Sequence, residues 1–504
     1  MPAMTVGVST CNTYSRRRPE LTPCYQVIQS EFETFAAERE AEARPLPPHV
    51  SQEFYEYLKC GIPAYGFLRL ACISCKEEKV VAFSCKKRGF CPSCCAKRAA
   101  EAATHLVDNV LPLITYRQFV ITFPIPMRFW LQTNKRLYGR IHKLVITELH
   151  SYYIDKAKAQ GIKEPTTGTI SFTQRFGSAL NLNIHMHVLC ADGVYTRVDS
   201  KPLFRNLDAI TDKEVASLIE TISQKAMRYL KKQGYIDKDG ELVRNPLLDE
   251  LFDTHEALSG ATAASIAGKI AFGPNAGNYV TQIGKGFGYG EEIPLAKSKR
   301  CFTVNGFSLH ANTHVNALAR DRLEKLIHYI ARGPLSNERL ELTDNRKVKL
   351  RLKTPYSDGT THLLFTYGEF IEKLVALVPP PRSHLVRWAG VFAPNSHYRK
   401  EITLEAAIKK GFQFESGNEK DGIKNYSWSK MLAKVFKIDV TRCEGCGGDM
   451  QAIGSVHERL SIERYLKHVG IDHKPPARAP PTAFKQTELF DQSTAHEESV
   501  IYLD

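Results

Sequence analysis

The chain has 504 residues and a formal net charge of +14, with a pI near 9.1. This length allows at least two buried cores. The sequence has no run of about eighteen apolar residues and no leader in which a basic stretch precedes an apolar one, so we expect an intracellular protein without a membrane span. The excess of lysine and arginine favours a polyanionic partner, and nucleic acid is the most economical candidate.

The first 112 residues divide into an arm and a cysteine-rich segment. Residues 1–48 are polar, end in a proline-rich stretch, and are predicted to form an arm or a short helical lead-in. Residues 49–112 hold two Cys-x-x-Cys pairs separated by fifteen residues. That spacing is typical of a four-cysteine zinc ribbon, in which four thiolates leave no open position on the metal. We therefore predict a zinc-binding and DNA-binding domain with structural zinc on Cys72, Cys75, Cys91 and Cys94.

Other cysteines lie outside this predicted set. Cys60 and Cys85 remain candidates for additional zinc ligands, whereas Cys95 is interpreted as a small buried side chain. Cys443 and Cys446 form a third pair that no further Cys-x-x-Cys follows. Zinc there would need distant partners such as His457, and the alternative is a tight glycine turn. Basic residues around the first two pairs predict a face for the DNA backbone, the alternative being a solvated loop: Lys86, Lys87, Arg88, Lys97 and Arg98.

Residues 113–335 have the pattern of an antiparallel sheet with helices, including a helical insertion at about 207–269. Strands are predicted at 116–124, 168–176, 182–190 and 301–310, and helical character at 128–160. Side chains alternate between the faces of a strand, so His185 and His187 project from one face. Two adjacent imidazoles suit a divalent metal, although a sheet edge with two exposed histidines has the same pattern.

An amphipathic helix is predicted at 321–332, ended by Gly333-Pro334. Its apolar residues recur at helical spacing: Leu323, Leu326, Ile327 and Ile330. The other face carries a tyrosine among cations: Arg322, Lys325, Tyr329 and Arg332. Such cations favour a phenolate and would bind a phosphate beside it, which makes Tyr329 a candidate nucleophile. The alternative is an ordinary half-buried tyrosine at a helix edge.

The remaining segments carry weaker signals. Glycines between 273 and 290 match neither a phosphate-binding loop nor a dinucleotide fingerprint. Residues 336–473 form a C-terminal region, with a hairpin predicted from 346–353 and 361–366. Residues 474–504 are proline-rich and then acidic, and are predicted to be a disordered tail.

Taken in this order, the motifs resemble the HUH-type transposases of rolling-circle insertion sequences. The closest resemblance is to the single-tyrosine kind associated with insertion-sequence common regions, which has an N-terminal zinc-binding domain. The segments that carry the resemblance, within a span from about 50 to 460, are 83–94, 174–187, 323–334, 352–362 and 390–395. Members with two catalytic tyrosines space them four residues apart. Lys325 occupies that position here, which fits the single-tyrosine kind.

The resemblance implies an α+β fold. Its core would be an HUH-endonuclease antiparallel sheet, with the histidine strand at the centre and the tyrosine helix packed across it. A zinc ribbon-like module would precede this sheet, with helical insertions and a C-terminal extension. The implied activity is a metal-dependent nuclease and strand transferase that forms a 5′-phosphotyrosine on Tyr329.

The implied catalytic cofactor is Mg²⁺ or Mn²⁺ on His185 and His187. Gln174, on the neighbouring predicted strand, is our candidate third ligand, with His310 and His314 as weaker alternatives. The expected partners are single-stranded DNA or hairpin ends, together with host replication or helicase proteins. The expected location is the bacterial cytoplasm, at the nucleoid.

Two other functions fit parts of the sequence. A rolling-circle replication initiator would share Tyr329 and both histidines. A non-catalytic, zinc-dependent DNA-binding regulator would need only the basic charge and the cysteine module.

Overall fold

Antiparallel sheets and the helices packed on them form the described part of the chain, which is mixed α+β as predicted. The computed structural model describes residues 17–237, 255–284, 299–403 and 442–482, together with Asp239 and Val243. Its strands are β1 (Phe67–Cys72), β2 (Glu78–Ala82), β3 (Tyr116–Thr122), β4 (Gly168–Phe176), β5 (Leu182–Ala191), β6 (Gly193–Val198), β7 (Lys201–Asn206), β8 (Thr281–Ile283), β9 (Cys301–Val304), β10 (Phe307–Val315), β11 (Leu340–Thr343), β12 (Lys347–Arg351), β13 (His362–Thr366), β14 (Val386–Gly390) and β15 (Met450–Val456).

The α-helices of the same residues are α1 (Pro23–Ala41), α2 (Pro48–Lys59), α3 (Pro92–His105), α4 (Ile125–Thr133), α5 (Lys135–Ala159), α6 (Asp212–Lys232), α7 (Glu256–Ala267), α8 (Arg320–Ala331), α9 (Tyr367–Leu377), α10 (Arg399–Ile402) and α11 (Arg459–His468). The continuous helical stretch predicted at 128–160 is two helices, α4 and α5. The break has a local cause, because the Asn134 side chain caps α5 by accepting a hydrogen bond from Leu137 N at 2.9 Å.

The central sheet has six strands in the order β14-β4-β5-β3-β10-β9, and each neighbouring pair is antiparallel. The histidine strand β5 is therefore interior to the sheet, as the resemblance implied. One face packs against α4, α5 and α6, where Ile184, Met186 and Val188 of β5 are buried. The other face receives α8, whose Leu323 and Ile327 are buried against this side of the sheet. One face of the sheet thus carries the core formed with α4, α5 and α6, and the other carries both histidines and α8.

The predicted helical insertion contributes to this core. Helix α6 begins with a capping box between Thr211 and Glu214, and it buries Val215 and Ile219 in the same cluster as the β5 side chains. Part of the insertion, residues 244–254, lies outside the described residues, as do residues 285–290 of the glycine-rich segment.

Besides the two-stranded β6–β7 sheet, two sheets flank the centre in the described part of the chain. The order β11-β12-β13-β8 contains the predicted C-terminal hairpin, and α9 packs on it. The other sheet, β15-β1-β2, pairs Phe67 of the N-terminal module with Val456 and Cys72 with Met450. Helix α11 follows β15 and buries Ile462 and Leu466 against Phe67 and Val80. The end of the predicted C-terminal region is therefore an integral part of the N-terminal module.

The described residues of the predicted arm and tail pack on the rest of the chain. Helix α1 buries residues in the same core as α2. Residues 474–482 lie along α1, where Ala479 N donates to Gln29 O at 3.1 Å and Arg478 pairs with Glu33 at 2.8 Å. Residues 1–16 and 483–504 lie outside the described residues. Among the helices that are described, none is long and apolar enough to cross a membrane.

Candidate active site and cysteine clusters

The two histidines of β5 lie side by side on the face of the central sheet that α8 covers. Their ring centroids are 4.9 Å apart. His185 is directly opposite Gln174 on β4 and Thr122 on β3, so both neighbours share its face of the sheet. The predicted alternation is confirmed, and both imidazoles are held by a strand with hydrogen-bonded neighbours on each side.

Each imidazole has one nitrogen occupied by the protein. The Nδ1 of His185 lies 2.8 Å from Asn183 O, so Nδ1–H donates to that carbonyl and Nε2 keeps its lone pair. Gln118 Nε2 lies 2.5 Å from Nδ1 of His187, so the amide donates to Nδ1 and the neutral ring carries its proton on Nε2. The Nε2 of His187 is buried and has no hydrogen-bond partner among the described residues. A metal-ligating histidine ordinarily donates its other N–H to the protein, as His185 does; His187 meets this condition when the Gln118 amide is turned so that its oxygen faces Nδ1.

Both imidazoles are neutral in this environment. Burial, with added repulsion from His185 and Arg332, lowers the pKa of His187 to about 3. Burial also lowers the pKa of His185, against a smaller opposing contribution from its bond to Asn183. Neutral imidazoles retain the lone pair that a metal ion needs.

Gln174 links the sheet to the tyrosine helix. Its Nε2 donates to Ile330 O at 2.8 Å and to Tyr329 O at 3.3 Å, near the end of α8. The side chain is buried on an interior strand, which differs from a sheet-edge amide. An amide that donates through nitrogen keeps its oxygen as an acceptor or a metal ligand.

Tyr329 extends from α8 toward the histidine pair. Its ring is 6.3 Å from that of His187, at an interplanar angle of 89°, and half of the residue is exposed. Positive charge lies over the ring, with the Arg332 guanidinium carbon 4.4 Å and Lys353 Nζ 5.5 Å from its centroid. Arg322 and Lys325 are exposed, as the predicted basic face requires. Lys353 was not predicted, because it reaches the ring from just beyond β12.

A basic cleft of about 640 Å³ lies beside this helix, between the cysteine module and β12. Its lining includes five cations: Arg17, Arg332, Arg339, Arg351 and Lys353. Burial first, and then Arg332 and Arg351, lower the pKa of Arg339, as expected where like charges crowd together. Such a cleft suits a phosphate chain.

The two weaker histidine candidates lie apart from the pair. His310 is on β10, which β3 separates from β5. His314 Nε2 lies 3.5 Å from a carboxylate oxygen of Asp192. This arrangement favours the interpretation of both as structural or DNA-contacting residues.

The cysteines form two clusters, and the predicted ligand set that combined Cys72 and Cys75 with Cys91 and Cys94 is wrong. The first cluster comprises Cys60, Cys85, Cys91 and Cys94, and the second comprises Cys72, Cys75, Cys443 and Cys446. The β1–β2 hairpin explains the error. Cys72 and Cys75 lie at the tip of this hairpin, whereas Cys91 and Cys94 lie near its base. Because β1 has six residues and spans roughly 17 Å, the two pairs are too far apart to share one ion.

The first cluster is compact and partly buried. The Sγ atoms of Cys60 and Cys94 are 3.6 Å apart, and those of Cys85 and Cys94 are 3.4 Å apart. Arg17 donates to Cys60 O at 3.0 Å and approaches its sulfur at 3.6 Å. Cys60 and Cys85 thus complete the set that begins with Cys91 and Cys94. Cys95 is buried but outside both clusters, as predicted.

The predicted DNA-facing cations surround the first cluster. Lys86, Arg88 and Arg98 are exposed, and Arg98 also donates to Lys86 O at 2.8 Å, which braces the loop. Lys97 pairs with Glu101 at 3.7 Å. Arg88 and Arg98 line a second cavity, of about 250 Å³, together with Gln174 and Arg332. The basic face of the module therefore adjoins the site.

Comparison with protein families agrees with both parts of this arrangement. Residues 168–400 match the family described as "Putative transposase", and residues 27–123 match the family described as "Transposase zinc-binding domain", of the IS91 type. The chain belongs to the IS91-type transposases. The first match includes the histidine pair, Gln174 and Tyr329 of this transposase, and the second includes its whole first cysteine cluster. No curated protein and no solved structure gives a significant match.

Membership of this family carries general consequences. A transposase acts on DNA, which agrees with the basic balance of the chain. The zinc-binding match and the cysteine clusters together support structural zinc in this transposase.

Proposed function

We propose that this transposase nicks and rejoins single-stranded DNA through a covalent 5′-phosphotyrosine on Tyr329, as in rolling-circle transposition. The observation that supports this most directly is the approach of the Tyr329 ring to His187, whose buried Nε2 has no partner in the described part of the chain. A nucleophile and an unused metal-ligand atom then belong to one site.

The donor set fits a catalytic Mg²⁺ or Mn²⁺. His185 offers Nε2, since its Nδ1–H donates to Asn183 O, and Gln174 offers its amide oxygen. His187 would offer Nε2 with the Gln118 amide turned so that its oxygen accepts from Nδ1–H. When bound, the ion would polarise the scissile phosphate and offset the charge that develops during attack. The neutral state of both imidazoles suits this role.

The reaction exchanges one phosphate ester for another. The Tyr329 oxygen attacks phosphorus and loses its proton to solvent, while the bond from phosphorus to the 3′-oxygen breaks. The departing oxygen takes up a proton and becomes a 3′-hydroxyl. Attack by another 3′-hydroxyl on the phosphotyrosine reverses these steps and joins the strands, so no ATP is required. Arg332 and Lys353 would hold the phosphate near the ring.

The proposed substrate is a single strand or a hairpin end. A base-paired partner would obstruct in-line approach of Tyr329 to one phosphate, so a host helicase or replication fork would expose the strand. We propose that the cations of the cysteine module, the α8 face and the cleft bind its backbone: Lys86, Lys87, Arg88, Lys97, Arg98, Arg322, Lys325 and Arg332. The family matches favour this reaction over replication initiation or regulation.

The test is capture of the covalent intermediate. Wild-type protein, manganese and an end-labelled single strand should yield an adduct that resists denaturant, and peptide mapping should locate it on Tyr329. Tyr329→Phe should slow cleavage by about 10⁴-fold or more while DNA binding stays nearly unchanged, because only the nucleophilic oxygen is lost. Tyr279→Phe, at an exposed tyrosine on a different part of the surface, should cleave normally. An adduct on another tyrosine, or one that persists in Tyr329→Phe, would overturn the proposal.

A further inference from the structure

The second cysteine cluster joins segments from opposite ends of the chain. Cys72 Sγ lies 3.4 Å from Cys446 Sγ, and Cys75 Sγ lies 3.5 Å from Cys443 Sγ. The zinc-binding match ends at residue 123, so two of these four thiols lie outside it. Four sulfurs on a tetrahedral zinc ion, at about 2.3 Å each, would be separated by about 3.8 Å. The thiols are already close to that arrangement.

The two Cys-x-x-Cys turns of this cluster have the same backbone structure. In the first turn, Lys76 N donates to Cys72 O at 3.1 Å and Cys72 N donates to Glu77 O at 2.8 Å. In the second, Gly447 N donates to Cys443 O at 2.9 Å and Cys443 N donates to Gly448 O at 2.8 Å.

The residue after the second cysteine has a positive φ in each turn, 64° at Lys76 and 71° at Gly447. Two equivalent turns thus present their thiols to one point. Each turn also directs a backbone N–H at one of its sulfurs: Cys75 N approaches Cys72 Sγ at 3.5 Å, and Gly448 N approaches Cys446 Sγ at 3.4 Å.

Glycine at position 448 allows the two turns to meet. A Cβ atom there would lie 2.6 Å from Ser74 Oγ and 3.1 Å from Cys72 Sγ, both in the opposite turn. A further backbone bond, from Ile73 N to Asp449 O at 2.9 Å, joins the turns directly. Gly448 therefore allows its turn to lie close against the turn that contains Cys72 and Cys75.

We propose that Cys72, Cys75, Cys443 and Cys446 bind a zinc ion distinct from the ion of the first cluster, so that each chain holds two. Binding converts the four thiols to thiolates, with their protons released to solvent and no change of oxidation state. The ion fastens β15 and α11 to the β1–β2 hairpin. This proposal is independent of the chemistry at Tyr329.

The packing around the cluster explains why an ion is needed. The fully buried apolar side chains that join the C-terminal segment to the hairpin form one small cluster: Phe67, Val80, Ile462 and Leu466. A core of this size supplies little stability without a metal or another cross-link. Of the nearby ion pairs, Arg69–Glu78 lies within the hairpin and is partly exposed, where such a pair adds little. Lys79–Glu444 is a single pair between the two segments, with Lys79 largely covered and Glu444 exposed.

Metal stoichiometry tests the proposal. Full-length protein purified under reducing conditions should contain two zinc ions per chain by elemental analysis. Cys443→Ser/Cys446→Ser should contain one, and Cys301→Ser, at a cysteine outside both clusters, should contain two. One zinc ion in the wild type, or two in the double variant, would reject the second site. An intact mass lower by two hydrogens per cysteine pair would identify disulfides instead and also reject it.

Hydrogen exchange gives a second measure of the ion's role. In Cys443→Ser/Cys446→Ser, exchange should rise in residues 67–82 and 450–468 and stay unchanged in α8. Adduct formation on a supplied single strand should persist, because the central sheet is intact. Unchanged exchange in 67–82 would reject the fastening role. X-ray absorption of wild-type protein removes any dependence on the variant's folding, since two four-sulfur sites predict a zinc shell of sulfur alone.

Discussion

The central sheet and the N-terminal module position their candidate ligands in opposite ways. His185 and His187 lie on a strand that is hydrogen-bonded on both sides, above a core of apolar residues that alternate with them. The thiols of the second cluster lie on turns, beside a core of four fully buried side chains. The sheet therefore holds its histidines in place whether or not an ion is bound, whereas the module depends on metal to keep its segments together.

Among the variants that test this comparison, removal of both imidazoles should have the largest effect. His185→Ala/His187→Ala should lower manganese-dependent cleavage by about 10³-fold or more, because the metal-ligand atoms are lost. The melting temperature should change little, since neither side chain belongs to the apolar core. His310→Ala, one strand removed on β10, serves as the control and should cleave within a few-fold of wild type. Undiminished nicking by the double variant would show that the histidine pair is structural and does not bind the catalytic metal.

We expect the N-terminal cysteine module, unlike the central sheet, to unfold when its metal ligands are removed. Cys91→Ser should release the zinc ion of the first cluster and unfold the surrounding segment, because structural zinc contributes folding free energy directly. Recognition of the DNA end should be lost, while the central sheet still cleaves a supplied strand weakly. Cys95→Ser replaces the cysteine next to Cys94, which is outside the cluster, and should retain zinc. Zinc content measured beside hydrogen exchange checks both, and a folded, zinc-free Cys91→Ser module would contradict the metal dependence.

The smallest effect concerns acid stability of the sheet. Burial lowers the pKa of His142 and of His150 to about 4, with Arg387 contributing at His142. Both stay neutral in the fold below their ordinary pKa of about 6.5 and take up protons on unfolding. The contribution of these two histidines to stability should therefore be constant above about pH 6.5 and fall as the pH drops toward 4.

Each of these histidines should contribute about 1 kcal/mol per pH unit to that loss. His150→Gln should reduce the slope by this amount in urea unfolding series between pH 4.5 and 7. An identical slope in variant and wild type would show that His150 is not the cause.

The sequence predicts the sheet better than the module for a physical reason. Alternation along β5 and the helical period of α8 are local, so the histidine face and the Tyr329 face follow from neighbouring residues. The contact of Lys353 with Tyr329 depends on how a separate sheet packs. A Cys-x-x-Cys pair likewise defines half of a ligand set. The length of the β1–β2 hairpin decides which second pair completes each ligand set. The sequence spacing between Cys75 and Cys91 does not carry that information.

Pairing of β15 with β1 also sets an order of events during synthesis. Cys72 and Cys446 are separated by 374 positions. A ribosome that adds about 5–20 residues per second needs roughly 20–75 s to make the intervening chain. Throughout that interval the β1 edge lacks its final neighbour, whereas the last strand of the central sheet, β14, is complete once residue 390 has been added. A copy that terminates between residues 390 and 443 therefore has every strand of the histidine sheet but cannot close its N-terminal module, so translation past that point is itself a condition for the finished molecule.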